Sequence, residues 1–201
     1  MRKVIYAIVI LFSLSIFAQK KDKVKTETIT IGGGCFWCIE AVFDNLDGVI
    51  SADSGYSGGN TINPSYEEVS TGETGFAEAV QIKYDPTKTN LYEIFKVFFT
   101  VHDPTQLNKQ AADVGSQYRS VIFYANDNQK KIAQEIISEL DNSKAYESRI
   151  VTTLESYKGF TKAESYHQNY YENNKTKGYC QMVIQPKLEK FEKVFKDRLK
   201  K

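Results

Sequence analysis

The sequence predicts an α+β fold in which helices pack on a sheet. Segments with helical spacing of apolar residues alternate along the chain with short segments rich in β-branched residues, which is typical of a sheet covered by helices. Within the strand segments polar and apolar residues alternate, which favours a sheet that is not covered on both faces. The 201 residues suit one domain large enough to bury its own core.

The first residues have the pattern of a secretory signal peptide. Two basic residues precede an apolar run, Val4 to Phe17, and Ala18 is a suitable cleavage residue, although Ile16 is larger than such sites prefer. An uncleaved anchor is the alternative, but a spanning helix needs about 20 apolar residues. We predict a signal peptide over 1–18, a linker over 19–25 and a single folded domain over 26–201, in an exported protein, periplasmic or secreted, without stable membrane insertion after cleavage.

The elements of the domain follow in a regular order. Strands are predicted at Thr26–Ile31, Ala77–Tyr84, Tyr118–Ala125 and Arg149–Ser156. Val49–Gly59 is predicted to be extended and is rich in glycine. Helices are predicted where apolar residues recur at intervals of three and four, starting near Cys35, after Asn90, at Asp127–Leu140 and from Pro186. Asn90 and Glu93 have the spacing of a capping box.

Charge and cysteine content narrow the classes of function. The chain has 26 basic and 25 acidic side chains and a net charge of +1, which gives no electrostatic reason to expect nucleic acid. There are three cysteines, Cys35, Cys38 and Cys180. An odd number in an exported protein indicates reactive or exchanging thiols rather than a structural disulfide framework.

The strongest local signal is the motif Gly33-Gly34-Cys35-Phe36-Trp37-Cys38. A strand leads into a glycine turn and then a helix, so Cys35 is expected at a helix N-terminus, where free amides and the helix dipole favour an anion. We therefore expect a lowered pKa for the Cys35 thiol. Cys35 also continues the apolar line of Ile39 and Val42, so it should face the fold.

Two other readings of the C-x-x-C spacing are open. One is a thioredoxin-like disulfide oxidoreductase, which the two large aromatic residues Phe36 and Trp37 between the cysteines disfavour. The other is a zinc site, but structural zinc sites usually show a second close pair of ligands, and Cys180, His102 and His167 are isolated in the sequence. No metal and no other cofactor is predicted.

Glu78 stands out in the strand predicted at Ala77–Tyr84. Because side chains alternate between the two faces of a strand, Glu78 shares the apolar face with Val80, Ile82 and Tyr84. A carboxylate in apolar surroundings has a raised pKa and can act as a general acid. The alternative is a glutamate at the strand edge that reaches solvent.

At this point the chain resembles a known family. Gly-Cys-Phe-Trp-Cys at 34–38 is similar to the signature of the peptide-methionine (S)-S-oxide reductases, the methionine sulfoxide reductase A family. The resemblance spans about residues 28 to 195. Other matching segments lie at 55–59, 63–66, 77–80, 98–105, 113–120, 163–168 and 178–180. The chain departs from the family at Phe76, where histidine is usual, and at Ala111, where glycine is usual.

The resemblance implies a role for individual residues. Cys35 would be the nucleophile, Glu78 the general acid, and Tyr56 and Tyr118 the hydroxyl donors to the sulfoxide oxygen. Further implied roles belong to Asp113, which would order the polar side of the site, and to Phe36 and Trp37, which would form the apolar pocket for the substrate's methyl group. We interpret His102 and His167 as structural hydrogen-bonding residues.

The resemblance also implies a two-layer fold with a ferredoxin-like core and long loops. The implied reaction is reduction of methionine S-sulfoxide through a Cys35 sulfenic acid and an intramolecular disulfide, with a thioredoxin-like donor as reductant. The resolving thiol is Cys38 by its position one helical turn from Cys35, or Cys180 by resemblance; the resemblance gives a weak preference for Cys180. We expect a monomer. The alternatives are an exported thiol–disulfide oxidoreductase and a thiol-containing binding module.

Overall fold

A computed structural model describes residues 25–201 of the chain. The predicted signal peptide and residues 19–24 of the predicted linker lie outside the described residues. Over residues 25–201, none of the helices combines the length and the hydropathy that crossing a membrane requires.

Six strands form one sheet and two more form a small hairpin. The strands are β1 (Glu27–Gly32), β2 (Val49–Ser57), β3 (Ala77–Tyr84), β4 (Lys109–Gln110), β5 (Asp113–Val114), β6 (Val121–Tyr124), β7 (Thr153–Ser156) and β8 (Phe160–Lys162). The large sheet has the order β7-β6-β1-β3-β2-β8, and β4 pairs with β5. The central strands β1 and β3 are therefore paired on both sides.

Within residues 25–201, six α-helices, three 3₁₀ turns and one π-helical turn complete the fold. The helices are α1 (Phe36–Asp44), α2 (Tyr66–Ser70), α3 (Leu91–Val101), α4 (Asp127–Asn142), α5 (Tyr170–Asn173) and α6 (Gln185–Val194). Single 3₁₀ turns lie at Ser116–Tyr118, Ser165–His167 and Lys196–Arg198, and a π-helical turn lies at Cys180–Ile184. The Asn90 side chain caps α3 by accepting from the Glu93 amide, as its position predicts.

The topology confirms the predicted fold class. The run β1-α1-β2-β3-α3-β6, with the spatial order β6-β1-β3-β2 and antiparallel neighbours, is the ferredoxin-like arrangement. β7 extends the sheet parallel to β6, and β8 extends it antiparallel to β2. Both βαβ-type crossovers place their helices against the same face, so the site at the start of α1 lies over the central strands.

The main core lies between the sheet and the helices. On β3 the residues that face this core include Val80, Ile82 and Tyr84, while Ala77 and Ala79 on the opposite face join only a small cluster with Val121 and Phe123. One face therefore carries most of the buried apolar surface, as the alternating strand patterns predict.

Two predicted strands start later than expected. The strand predicted at Tyr118–Ala125 begins at Val121, because Gly115 adopts a positive φ of 147° and residues 116–118 form a 3₁₀ turn. The strand predicted at Arg149–Ser156 begins at Thr153, while the Val151 amide donates to Pro104 outside the sheet. The first shift matters for the site, because it leaves Tyr118 on a turn.

Candidate active site

The glycine turn between β1 and α1 fits Cys35 closely into the fold. Gly34 has a positive φ of 87°, and a Cβ at Gly33 would lie 2.7 Å from the Phe98 ring, so both positions require glycine. Cys35 is the N-cap residue of α1 and is 6% exposed. The predicted position of Cys35, at a helix N-terminus and facing the fold, is confirmed.

Glu78 reaches the same point from β3. Its side chain is 2% exposed, and its Oε2 accepts a hydrogen bond from the Phe36 amide at 3.0 Å. Burial raises the pKa of Glu78 to about 8, and the charge of Asp113 adds to this effect. Glu78 is thus a carboxyl group that is mostly protonated at neutral pH, as its place on the apolar face predicts.

The Cys35 thiol is not activated in the way that its helix position predicts. Burial raises the pKa of Cys35, and the neighbouring Cys38 and Glu78 raise it further. The expectation of a lowered pKa is wrong because burial of the thiol is the largest effect. In addition, the first free amide of α1, that of Phe36, is bound by Glu78. The pKa of Cys38 is lowered to about 7, chiefly by the hydrogen bond from Cys35.

The three thiols are all free and buried. The Cys38 amide donates to the Cys35 carbonyl at 3.1 Å, and each thiol shifts the pKa of the other, so the structure brings these two together. Cys180 is the first residue of the π-helical turn. Burial raises its pKa, and the charge of Cys38 also contributes. Cys38 is therefore the cysteine that interacts with both of the others.

An aromatic wall, made of Phe36, Trp37, Tyr66, His167 and Tyr170, surrounds the start of α1. Phe36 is buried, with its ring centre 5.0 Å from that of His167 and 6.5 Å from that of Tyr66. The Trp37 indole stacks on Tyr170 with 3.6 Å between centroids and 7° between planes. Trp37 thus packs against the chain although its helical position is opposite the core stripe.

His167 contributes a polar atom to this wall. Trp37 Nε1 donates to His167 Nδ1 at 3.2 Å, so in the neutral ring Nε2 carries the hydrogen. Nε2 is buried and has no hydrogen-bond partner in the structure described, since Glu164 Oε2 lies 3.9 Å away. The predicted role of His167 as a structural hydrogen-bonding residue agrees with its bond to Trp37, and its ring also lies in the site with one donor unused.

The tyrosines divide into two kinds. Tyr56 is fully buried, and its hydroxyl donates to Glu164 Oε2 at 2.9 Å. Tyr66 and Tyr118 share surroundings: burial raises the pKa of each, and the charges of Glu78 and Cys35 contribute to both. Tyr66 and Glu164 were not identified from the sequence, although both lie in segments that match the family.

Asp113 is engaged by a residue from the far end of the chain. The Tyr179 hydroxyl donates to Asp113 Oδ2 at 2.8 Å, and Tyr179 is also a polar neighbour of the Cys35 thiol, whose pKa it lowers. Tyr179 directly precedes Cys180. The contact from Asp113 to Tyr179 therefore ties the residue next to Cys180 to the nucleophile.

The two departures from the family pattern occupy different environments. Phe76 is buried, and a Cβ on Gly59 would lie 2.1 Å from its ring, so Phe76 is an apolar packing residue. Ala111 is exposed and has a φ of 54°, the left-handed region that favours glycine. Across residues 25–201 no group of three or more His, Cys, Asp or Glu side chains could hold a metal ion.

Comparison with known proteins agrees with this geometry. Residues 27–199 match the family described as peptide methionine sulfoxide reductase. The chain is 52% identical over 174 residues to the peptide methionine sulfoxide reductase MsrA of a Nitratiruptor species, which covers 87% of this chain and 99% of that protein. The reduced form of Mxr1 from Saccharomyces cerevisiae superposes with a TM-score of 0.71 and 34% identity, over 79% of this chain and 91% of that one. Mxr1 in complex with Trx2 gives 0.50 and 26%, over 77% and 91%. Because this match extends over most of its length, the chain belongs to the peptide methionine sulfoxide reductase family.

Proposed function

We propose that the protein reduces methionine S-sulfoxide, in proteins and as the free amino acid, to methionine. One observation carries the proposal: Glu78, a carboxyl group with a pKa of about 8, lies beside the thiol of Cys35 and accepts from the adjacent Phe36 amide. A thiol next to a protonated acid is the pair that sulfoxide reduction needs, because the oxygen leaves only when it is protonated.

The first half-reaction uses these two groups. The Cys35 sulfur attacks the sulfoxide sulfur while Glu78 protonates the sulfoxide oxygen. The oxygen then passes to Cys35, methionine leaves, and Cys35 becomes a sulfenic acid. Cys35 is oxidised by two electrons and the sulfoxide is reduced by two, and the proton lost by the thiol replaces the one given by Glu78.

The raised pKa of Cys35 fits this order of steps. A thiolate is the reactive form of cysteine, so a thiol that stays protonated is less exposed to other oxidants. In our proposal the thiol loses its proton only when a bound sulfoxide takes one from Glu78. Oε2 of Glu78 is occupied by the Phe36 amide, which leaves Oε1 to carry the acidic proton.

Two tyrosine hydroxyls are proposed to stabilise the charge that develops on the sulfoxide oxygen. Tyr118 is one of them, as the resemblance implies. For the other we propose Tyr66 in place of Tyr56, because the Tyr56 hydroxyl is already donated to Glu164. Glu164 Oε1 also accepts from the Tyr66 amide at 3.0 Å, so Tyr56 would act indirectly, by holding Glu164 and the backbone of Tyr66.

The apolar side of the site is assigned to Phe36 and Trp37. Their rings lie 6.0 Å apart directly after Cys35 in the chain, where they can receive the methyl group of the substrate. Asp113 would order the opposite, polar side through its bond with Tyr179.

For the resolving step we propose that Cys38 acts first. It lies one helical turn from Cys35, with its amide bonded to the Cys35 carbonyl at 3.1 Å, and Cys35 lowers the pKa of the Cys38 thiol to about 7, which makes it the better thiolate. Its attack on the sulfenic acid forms a Cys35–Cys38 disulfide and releases water. Cys180 would then exchange with this bridge and free Cys35. This order differs from the one that the resemblance favours, in which Cys180 acts first.

A dithiol protein of the thioredoxin class is the proposed reductant. The solved complex of Mxr1 with Trx2 supports this class of donor for a relative with the same fold. Exchange with such a donor returns the disulfide to two thiols. The remaining alternative is a general thiol–disulfide oxidoreductase, for which neither Glu78 nor the aromatic wall has a use.

The test is release of methionine from a peptide that contains one sulfoxide, with each epimer supplied separately and a small dithiol as reductant. We expect turnover of the S epimer and none of the R epimer. Reduction of an insulin disulfide at a comparable rate, without sulfoxide turnover, would support the oxidoreductase alternative instead.

Export stays a separate proposal, supported by the apolar run at the start of the sequence. Protein purified from its native host should begin near Gln19 by intact mass spectrometry. A mass that includes Met1 would argue for an anchor.

A further inference from the structure

Glu40 is a buried carboxylate that the proposed reaction does not use. It lies on α1 one turn after Phe36 and is 2% exposed. Its Oε1 accepts from the Asn169 amide at 3.0 Å and its Oε2 accepts from the Tyr170 amide at 3.3 Å. Burying a carboxylate costs free energy unless hydrogen bonds compensate, and here both bonds come from the backbone of one distant segment.

These two bonds fix the start of α5. The first amides of a helix have no partner within the helix, and α5 has only four residues, Tyr170–Asn173. Its N-cap residue, Asn169, is in the left-handed region with φ 50° and makes no side-chain cap. Glu40 therefore supplies from α1 the cap that the local sequence does not.

The fixed residue is the one that stacks on Trp37. The Tyr170 ring lies parallel to the indole at 3.6 Å, while the indole Nε1 donates to His167. The Trp37 indole is thus held at its edge by the hydrogen bond to His167 and on its face by the stacked Tyr170 ring. The face contact depends on the position of the Tyr170 backbone, and so on Glu40.

We propose that Glu40 is a positioning residue: by binding the Asn169 and Tyr170 amides it holds Tyr170 against Trp37 and so sets the apolar wall that receives the substrate's methyl group. The effect on substrate rests on the proposed function, whereas the effect on Trp37 does not.

The clamp should depend on pH. Burial raises the pKa of Glu40 to about 7, and Asp44 raises it further. Once protonated, the carboxyl group turns one oxygen into a donor, which cannot accept well from a second amide. The charge of Asp44 on α1 acts on Glu40, and Lys200 in the tail, Asp53 on β2 and Glu172 on α5 act on Asp44 in turn. Of these, Asp44 shares the helix and has a pKa raised to about 6 by burial.

The same shift predicts the effect of Glu40 on stability. The unfolded chain releases this proton near pH 4.5, and the folded chain retains it until about pH 7. Stability therefore falls with rising pH between these values and stays lower above them. Glu40→Gln removes the buried charge, so we expect its melting temperature at pH 8 to equal or exceed that of the wild type.

The experiment uses Trp37, the single tryptophan of the chain, as a reporter. In Glu40→Gln the amide oxygen can accept from one backbone amide, but the NH₂ group opposes the other. We expect altered Trp37 emission at pH 8 with an unchanged far-ultraviolet spectrum. Wild-type emission should shift with a midpoint near pH 7, and that of the variant should not. KM for the sulfoxide peptide should rise about tenfold, the effect of losing roughly one hydrogen bond, with kcat little changed.

Two further variants make the test decisive. Asp44→Asn removes the neighbouring carboxyl group of α1 and should keep wild-type emission at pH 8 and wild-type KM. Its midpoint should persist but move to lower pH, because the charge of Asp44 no longer raises the pKa of Glu40. Tyr170→Ala should reproduce the emission and KM of Glu40→Gln, and the double variant should add nothing. Wild-type emission and KM in Glu40→Gln, or a midpoint that persists in it, would overturn the proposal. If Glu40→Gln does not fold, the pH midpoint of Trp37 emission in the other two variants decides. The midpoint should persist in Asp44→Asn and be absent from Tyr170→Ala. Its loss in Asp44→Asn would overturn the proposal. If the wild type reduces no sulfoxide, the proposed function fails while emission still tests the clamp.

Discussion

The nucleophile end of α1, residues 33–38, and the C-terminal segment, residues 163–184, meet at the same site but are held in different ways. The first is continuous with β1, a central strand paired on both sides, and its glycine turn leaves no room for a side chain at Gly33. The second consists of short turns and a four-residue helix. Its contacts with the rest of the fold are mostly side chain to backbone or side chain to side chain.

Several such contacts anchor the C-terminal segment. Gln168 Nε2 donates to the Ser54 carbonyl at 3.0 Å, Glu40 binds two amides, and Tyr179 donates to Asp113. The difference indicates a division of work: regular elements hold the reacting atoms, and a segment of short turns shapes the pocket and carries Cys180.

Cys35→Ser tests the rigid region most severely. A serine hydroxyl is a far weaker nucleophile than a thiol, so we expect no methionine release above background in a single-turnover assay followed by chromatography. Cys180→Ser is the matched control and should release one equivalent. Release by Cys35→Ser beyond a few per cent of the wild type would mean that another thiol attacks the sulfoxide.

Glu78→Gln keeps the shape of the acid and removes its proton. Single-turnover reduction at pH 7 should slow by roughly 10²–10⁴-fold, the usual contribution of a general acid. Because the pKa of Glu78 is about 8, the wild-type rate should fall as pH rises through 8, and the variant should lose this dependence.

The thermal stability of Glu78→Gln at high pH should rise, although its reduction rate falls. The unfolded chain ionises Glu78 near pH 4.5 and the folded chain near pH 8, so wild-type stability declines between these values. Glu78→Gln should therefore melt higher than the wild type at pH 9. A variant that is slow but less stable at pH 9 would indicate a structural role only.

Variants of three tyrosines distinguish hydroxyls that donate directly to the sulfoxide oxygen from one that acts through Glu164. Tyr66→Phe and Tyr118→Phe each remove a proposed donor to a charged oxygen, worth about 1.5–3 kcal/mol, so the single-turnover rate should fall about ten- to hundredfold. Tyr56→Phe loses only its bond to Glu164 and should have a smaller effect. A larger loss in Tyr56→Phe than in Tyr66→Phe would restore Tyr56 to the role that the resemblance implies.

Cys180→Ser tests the C-terminal segment and should leave the first methionine release unchanged. Turnover with thioredoxin should slow, and peptide mapping after one turnover should find a Cys35–Cys38 bridge. Cys38→Ser combined with Cys180→Ser should stop as a sulfenic acid that dimedone labels. A Cys35–Cys180 bridge as the first product in the wild type would favour the order implied by resemblance.

The rigid region was largely predictable from the sequence. Local signals determine it: the three glycines before Cys35, the helical spacing after it, and the alternation that turns Glu78 inward. These depend on neighbours within one strand or one helix. The pKa of the Cys35 thiol was not predictable, because burial in the folded chain raises it and the charge of Glu78, on another strand, raises it further.

The C-terminal segment was predictable only in part. Its Gly-Tyr-Cys could be read from the sequence, but the contact of Tyr179 with Asp113 spans 66 positions and that of Tyr56 with Glu164 spans 108. No local periodicity encodes such pairs. Tyr66 was missed because its helix has only five residues, which are too few to show an apolar face.

The π-helical turn at Cys180–Ile184 makes the site sensitive to chain length. Such a turn holds more residues than an α-helical turn, so deleting one residue there would let α6 continue regularly and rotate Cys180 by about 100° about the helix axis. Substitutions at the exposed positions Gln181 and Met182 keep the number of residues in the turn, so they leave the orientation of Cys180 unchanged. Across evolution, point changes in this turn should be tolerated, whereas single-residue insertions and deletions should be eliminated.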